Sequence, residues 1–254
     1  MKILFFTATG NSLAVAKALG GTRLSIPQLI TKGIYEIEDE EAIGIIYPIY
    51  AGNTPKIVRE YLKRAKLTAP YLFAIGTYGN YACQAMTNFK RYAEKCGYHF
   101  QYTNTILMVD NYLDLFEINR QIEKIPSKKT DEQLKKIKKD IAARVMYTPG
   151  KSLLTEVINL VVKPQVAKFD SGKLAQSYIV TDACVRCGIC AKVCPRGNIS
   201  VKDHVTFSDH CESCYACLHA CPKGALHLKH ERSAKRWRHP DVTLAEIIEA
   251  NNVQ

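Results

Sequence analysis

The chain has 254 residues, 47% of them hydrophobic and 23% charged. That composition suits one large globular domain or two modest ones and excludes a disordered or low-complexity chain. A formal net charge of +11 admits an acidic protein partner, nucleic acid or an anionic cofactor. No stretch approaches the ~20 apolar residues of a membrane span, and the apolar run Ile3–Phe6 is too short for a signal-peptide core, so a soluble, cytoplasmic chain is expected.

Taken in order, residues Ile3 to Thr7 read as a buried strand that ends at a glycine turn. Asn11 to Leu19 follow as a helix, with Leu13, Ala16 and Leu19 on one face and Gly20-Gly21 as its stop. Ala42–Ile46 and Tyr71–Ile75 are further apolar runs. Pro55–Lys66 and Cys83–Lys95 are expected helices, and Phe100–Val109 a further strand. Strands alternating with helices predict an α/β domain, a doubly wound parallel sheet with helices on both faces.

From Asp110 to about Lys173 the pattern turns helical and basic. Thr130-Asp-Glu-Gln133 fits a capping box, and Leu134, Ile137, Ile141 and Val145 then fall on one helix face. Lys135, Lys136, Lys138 and Lys139 fall elsewhere, as on a solvated face. Pro149-Gly150 is expected to end that helix, Ser152–Lys168 to form another, and Ser171-Gly172 to mark a domain boundary. The expected division is residues 1–170 with a helical connector from about 111, a domain over 171–232, and a tail over 233–254. Asp241–Ala250 reads as a terminal helix that docks on the body.

Eight of the ten cysteines lie between Cys184 and Cys221. Cys184, Cys187, Cys190 and Cys194 form one run and Cys211, Cys214, Cys217 and Cys221 another, each C-x2-C-x2-C-x3-C-P. Three cysteines at steps of three wrap one face of a [4Fe–4S] cubane, and the fourth, followed by proline, ligates the other cluster. The predicted ligand sets are therefore Cys184, Cys187, Cys190 and Cys221 for the first cluster and Cys211, Cys214, Cys217 and Cys194 for the second. Structural zinc is the alternative, but zinc frameworks pair two C-x2-C units and need no third cysteine at the same step. These runs resemble the bacterial-type 2[4Fe–4S] ferredoxins over about residues 176–230, which implies a small α+β domain and one-electron transfer.

The segment Thr7-Ala-Thr-Gly-Asn-Ser12 joins the first strand to the first helix. Hydroxyls, a glycine and the first N–H groups of a helix together make a phosphate site; an ordinary strand–helix turn is the other reading. Neither a P-loop Gly-Lys pair nor a G-x-G-x-x-G fingerprint is present. The segment resembles the FMN phosphate loop of flavodoxins, Ser/Thr-x-Thr-Gly-Asn-Thr, with Ser12 in the last place. Two turn-rich, aromatic-bearing segments follow at later strand ends, Tyr47-Pro-Ile-Tyr-Ala-Gly-Asn-Thr-Pro55 and Gly76-Thr-Tyr-Gly-Asn-Tyr81, where a doubly wound sheet binds its ligand. The resemblance covers about residues 1–165 and implies a flavodoxin-like fold with FMN. Thr7, Thr9, Gly10, Asn11 and Ser12 would lie at the phosphate. Pro48, Tyr50, Gly52, Gly76, Thr77, Tyr78, Gly79 and Asn80 would lie around the ring, with Tyr50 and Tyr78 stacking on it or serving only as turn tyrosines. Flavodoxins are typically acidic and this chain is basic, so their partners do not carry over.

Cys83 and Cys96, and His227, His230 and His239, read as ordinary structural or surface residues. With both halves in place the chain resembles the flavodoxin–ferredoxin fusion proteins of anaerobic microbes, which implies two [4Fe–4S] clusters and FMN on one chain. Those anions lower the net charge to roughly +5. Three functions are open. The first is electron transfer between clusters and FMN, with a redox protein partner such as an acidic ferredoxin or flavodoxin. The second is an FMN-dependent reductase of a small organic acceptor, for which no catalytic acid is visible beside the loops. The third is a redox-sensing regulator that grips nucleic acid through Lys135–Lys139, for which no recognition motif is visible; nucleic acid is not the expected partner.

Overall fold

The computed structural model describes residues 1–150, 167 and 169–254. Its main sheet has five parallel strands: β1 (Lys2–Phe5), β2 (Thr22–Ser25), β4 (Ile43–Pro48), β6 (Leu72–Tyr78) and β7 (Tyr102–Leu107). They lie in the order β2-β1-β4-β6-β7. Counting only these five along the chain, the order is 2-1-3-4-5, which is the flavodoxin-like arrangement. The central strands are apolar throughout because both faces of a parallel sheet are covered. Along β1, Ile3 and Phe5 enter one core while Leu4, with Phe6 just beyond, enters the other. Strand β2, Thr-Arg-Leu-Ser, lies at the edge and is half exposed, which is why its sequence carries no strand signal. Two short strands, β3 (Glu36–Glu38) and β5 (Lys66–Thr68), pair in parallel outside the main sheet.

One face of the sheet packs on α2 (Ile26–Thr31), α3 (Lys56–Arg64) and α4 (Ala85–Lys95) through Ile26, Val58, Tyr61, Phe89 and their neighbours. The other face packs on α1 (Asn11–Leu19) through Leu13, Val15 and Ala16, and on Ile118 of α5 (Ile118–Glu123). After α6 (Ile125–Lys128), α7 (Thr130–Ala142) adds Ile137 to the same core. That core runs on without a break through Ala175, Val193, Leu218, Trp237, Val242 and Ala250. The cysteine-rich segment and the C-terminal tail therefore share their hydrophobic cluster with the α1 face of the sheet.

The cysteine-rich segment is a small α+β unit. Strand β8 (Ile179–Val180) pairs antiparallel with β11 (Leu226–His227), and β9 (Ile199–Val201) with β10 (Val205–Phe207). Helices α8 (Ile189–Lys192) and α9 (Ala216–Ala220) stand between. Helix α10 (Leu244–Asn251) closes the chain, with a capping box between Thr243 and Glu246.

The expected capping box at Thr130 is not formed. Lys129 takes the cap position in a left-handed conformation. The Thr130 hydroxyl donates to the Leu107 carbonyl at 2.8 Å, and Gln133 Oε1 accepts from the Leu107 N–H at 3.1 Å. Both side chains tie α7 to the end of β7 instead of capping it, because the strand end supplies unpaired backbone groups. Helix α7 also stops at Ala142, and Val145 lies 37% exposed beyond it. The helix expected over 152–168 falls almost wholly outside the described residues. Among the described residues no helix is long and apolar enough to cross a membrane.

Candidate cofactor sites

A cavity of about 350 Å³ opens at the C-terminal ends of β1, β4, β6 and β7. That is the crevice where an open α/β sheet binds its ligand, and the size is in the range of small-molecule pockets. Thr7, Thr9, Asn11 and Ser12 line it, with Pro48, Tyr50, Gly52, Thr77, Tyr78, Gly79 and Asn80. Two expected residues are not among its walls. Gly76 lies within β6, and a Cβ there would meet Ile49 Cδ1 at 2.7 Å, so it faces the core. Gly10 faces the tail, where a Cβ would stand 3.0 Å from both His239 and Val242.

The first loop gathers hydroxyls and backbone N–H groups at the start of α1. Gly10 caps α1 at φ 100°, a conformation that favours glycine, and its N–H donates to Thr7 Oγ1 at 3.2 Å. Thr7, Thr9 and Ser12 are only 1%, 4% and 1% exposed. Ser12 and Thr77 share a hydroxyl hydrogen bond of 2.9 Å, and Thr9 Oγ1 accepts from the Asn111 amide. The first N–H groups of α1 add positive dipole at the same place. Among the described residues no Lys or Arg lines the cavity. A phosphate there would be held by neutral hydroxyl and N–H dipoles, which suits the loop present. Asn11 plays a different part: its amide donates to the Val109 carbonyl at 3.0 Å and its Oδ1 accepts from Trp237 Nε1 at 3.3 Å.

Aromatic rings form much of the remaining wall. Tyr50 lies nearly parallel to Phe169, with centroids 6.3 Å apart and planes 16° apart. Its buried hydroxyl has no hydrogen-bond partner among the described residues. Burial holds that phenol well above its ordinary range, with the Cys214 thiol and Glu212 adding to the effect. Tyr112 stacks on Tyr215 at 5.7 Å and 7°. An apolar, aromatic slot beside a hydroxyl-rich anion loop fits a phosphorylated planar cofactor.

Sequence reasoning missed the loop after β7. Val109, Asp110, Asn111 and Tyr112 line the cavity, followed by Leu115 and Phe116. The signal was available, because the expected strand Phe100–Val109 has a C-terminal end like the others. Asp110 accepts from the Asn80 amide at 2.8 Å and from the Tyr112 N–H at 3.1 Å. Burial nevertheless pushes its carboxyl above the usual range. Gly79 stays side-chain-free for a steric reason, since a Cβ would lie 2.2 Å from Asp110 Cβ.

The two cysteine groups separate in space. A second, smaller cavity is lined by Cys184, Cys187, Cys190 and Cys221. Burial pushes the Cys190 thiol up to about 11, with Cys221, Cys184 and Cys187 as further contributors to the rise. For Cys214 and Cys217 burial again dominates, and Cys211 and Cys194 are among the neighbours of both. Backbone N–H groups reach sulfur at Cys194 from Asn198 (3.3 Å), at Cys211 from Ser213 (3.3 Å) and at Cys221 from Ala225 (3.2 Å), as they do around cluster ligands. Among the described residues no three His, Cys, Asp or Glu side chains converge to hold a single metal ion. Cys214 and Tyr215 also line the large cavity. One wall of the cavity at the sheet's end thus belongs to the second cysteine loop.

The remaining candidates are structural. Cys83 lines the cavity edge with φ 50°, and Cys96 caps the end of α4. His227 Nδ1 meets Glu231 at 2.7 Å, and His230 is exposed. His239 is no ordinary surface residue: its backbone N–H donates to the Thr9 carbonyl at 2.9 Å.

Residues 183–225 match the family model of the 4Fe-4S dicluster domain. No curated protein matches the chain. Among solved structures, the two-electron reduced flavodoxin of Megasphaera elsdenii is similar with a TM-score of 0.30 and 15% identity, over 41% of this chain and 83% of that one. The rubredoxin oxygen:oxidoreductase of the anaerobe Desulfovibrio gigas gives a TM-score of 0.34 and 13% identity, over 56% of this chain and 36% of that one. The Trp repressor binding protein of Bacillus subtilis gives 0.33 and 11%, over 58% and 99%.

Proposed function

We propose that this chain, a flavodoxin-like sheet joined to a 4Fe-4S dicluster domain, carries electrons between two [4Fe–4S] clusters and FMN. One observation carries the reading: Cys214 and Tyr215 share a cavity with the Thr7–Ser12 loop. The same wall that would ligate a cluster would touch the flavin. Bound FMN would supply one- and two-electron chemistry, and each cluster one-electron chemistry.

The residues have separate tasks in this reading. Thr7, Thr9 and Ser12 hold the phosphate, and Tyr50, Tyr78 and Tyr112 enclose the ring. Cys211, Cys214, Cys217 and Cys194 hold the cluster nearer the flavin; Cys184, Cys187, Cys190 and Cys221 hold the farther one. Joining both domains on one chain replaces a bimolecular encounter with a fixed separation. The test is anaerobic purification with iron, sulfide and flavin counted per chain. About eight irons, eight sulfides and one FMN are expected; zinc in place of iron, or no flavin, would defeat the proposal.

Asp110 favours a second reading, reduction of a small organic acceptor. The carboxyl lies in the cavity wall and burial favours its protonated form, so a proton source stands where the sequence showed none. Tyr81 and Leu115, 67% and 64% exposed, flank the opening. This reading requires turnover of a specific acceptor that fails in Asp110→Asn while flavin content stays intact.

A further inference from the structure

The two cysteine loops repeat with an offset of 27 residues: Cys184 corresponds to Cys211, Cys187 to Cys214, Cys190 to Cys217 and Cys194 to Cys221. The backbone repeats as well. Arg186 and Ser213 have φ 52° and 56°, Gly188 and Tyr215 have 75° and 58°, and Gly197 and Gly224 have 59° and 56°. The N–H···S bond of Asn198 to Cys194 recurs as Ala225 to Cys221. Equivalent positions can therefore be compared side chain by side chain.

The face of the second loop is used inside the molecule. Arg196, just after Cys194, meets Glu60 of α3 at 2.6 Å and Glu212 of the second loop at 2.6 Å, and Glu212 accepts from the Ile57 N–H at 3.0 Å. Cys214 and Tyr215 face the large cavity. The equivalent of Arg196 is Lys223, and that of Glu212 is Val185. Both are exposed, Val185 to 58%, as are Arg186 and Cys187. All four line the cavity of the first cysteine set. No carboxylate among the described residues pairs with Lys223 or Arg186; the Arg186 guanidinium donates only to the Asp203 backbone carbonyl at 3.2 Å. Nearby in sequence, Lys192, Lys202, Asp182 and Asp203 are also exposed.

From this we infer that the face around Val185, Arg186, Cys187 and Lys223 is the docking surface for an external, acidic one-electron carrier protein. The surface repeats outward the contact that Arg196 makes inward: a cation for a partner carboxylate, beside the loop that would hold a cluster. Val185 supplies the small apolar centre of a transient redox interface, and the charges around it steer encounter more than they hold the complex. The reduced carrier would lose one electron and the first cluster would gain it, with no bond or proton transferred. The inference rests on the proposed cluster ligation and does not require flavin.

The test uses the anaerobic holoprotein and, as probe, a plant-type [2Fe–2S] ferredoxin, an acidic one-electron carrier. Affinity for the oxidised probe is measured by titration calorimetry at low salt, and cluster bleaching by the reduced probe in stopped flow. Arg186→Glu with Lys223→Glu is expected to weaken both about tenfold, with the difference shrinking at high salt. Lys223→Glu alone, at an exposed position, should show part of the effect. The control pair Lys135→Glu with Lys139→Glu on α7 changes net charge equally and should act less than about twofold. Equal losses from both pairs, or none from either, would overturn the docking surface. Such a result would leave the proposed function standing, whereas a chain without flavin would end that function and leave this experiment valid.

Discussion

Thr9 is buried, and its hydroxyl meets Asn111 from the loop after β7. That contact ties the first loop to the loop after β7. Thr9→Ala should weaken FMN binding about tenfold, the value of one hydrogen bond to a charged group, as read by titrating the flavin-free protein. Unchanged affinity would remove the phosphate role of the loop. Asp110 gives a pH signature. Its carboxyl is raised in the folded chain, so the unfolded chain loses this proton first as pH rises. Its ionisation then costs stability progressively, from the ordinary carboxylate value through the raised one. Asp110→Asn should therefore stabilise relative to the parent more at pH 7 than near pH 4. Thermal melts at both pH values check this, and a difference that does not grow with pH would contradict it.

At the scale of elements, the proposed ligation makes the two cysteine loops one repeat whose halves exchange ligands. Cys194 follows the first loop, yet its electrostatic neighbours include Cys211 of the second. Cys194→Ser should thus damage the second cluster and spare the first, as seen by iron content and by the separate signals of the two reduced clusters. Selective loss of the first would refute the crossover. Tyr215 marks where the halves differ. It holds the left-handed conformation that Gly188 holds in the first loop, a conformation a large side chain adopts at a cost. Its ring gains the Tyr112 stack and a hydrogen bond to Asp114. The tail is a second device. Trp237 reaches Asn11, His239 reaches Thr9, Asn251 donates to the Thr7 carbonyl at 2.8 Å, and Lys17 meets Glu246 at 2.7 Å. It braces the Thr7–Ser12 loop from behind.

At the scale of the molecule, the ion group of Arg196, Glu212 and Glu60 ties the cysteine-rich unit to α3. Glu212 is buried, and burial raises its carboxyl despite Arg196. Removing Glu212 leaves Arg196 paired with Glu60 alone and the buried Ile57 N–H without its acceptor. Glu212→Ala should cost about 1–3 kcal/mol, the cost of leaving a buried donor unsatisfied, seen as a lower melting temperature of the holoprotein. A loss below about 1 kcal/mol would class the pair with surface ion pairs. The continuous core from Leu13 to Ala250 predicts the same cooperativity by another route, because the two halves cannot separate without exposing shared apolar surface.

The local sequence determined a good deal. The alternating apolar runs specified the parallel sheet, since a strand buried on both faces must be apolar along its length. The cysteine spacing specified the dicluster domain, since ligand geometry depends on near neighbours in the chain. The hexapeptide Thr7–Ser12 was legible because a loop and a helix start are local structures. Tertiary structure alone decided how these parts meet. Asp110, Phe169 and Tyr215 enter one cavity from segments far apart in sequence, and no spacing rule predicts that. Strands β2, β3 and β5 were silent because edge position, not composition, makes them strands. Thr130 and Gln133 carried a capping signal that the end of β7 overrode. The sequence also left the two cysteine loops equivalent; only packing turned one toward the cavity and left the other facing solvent.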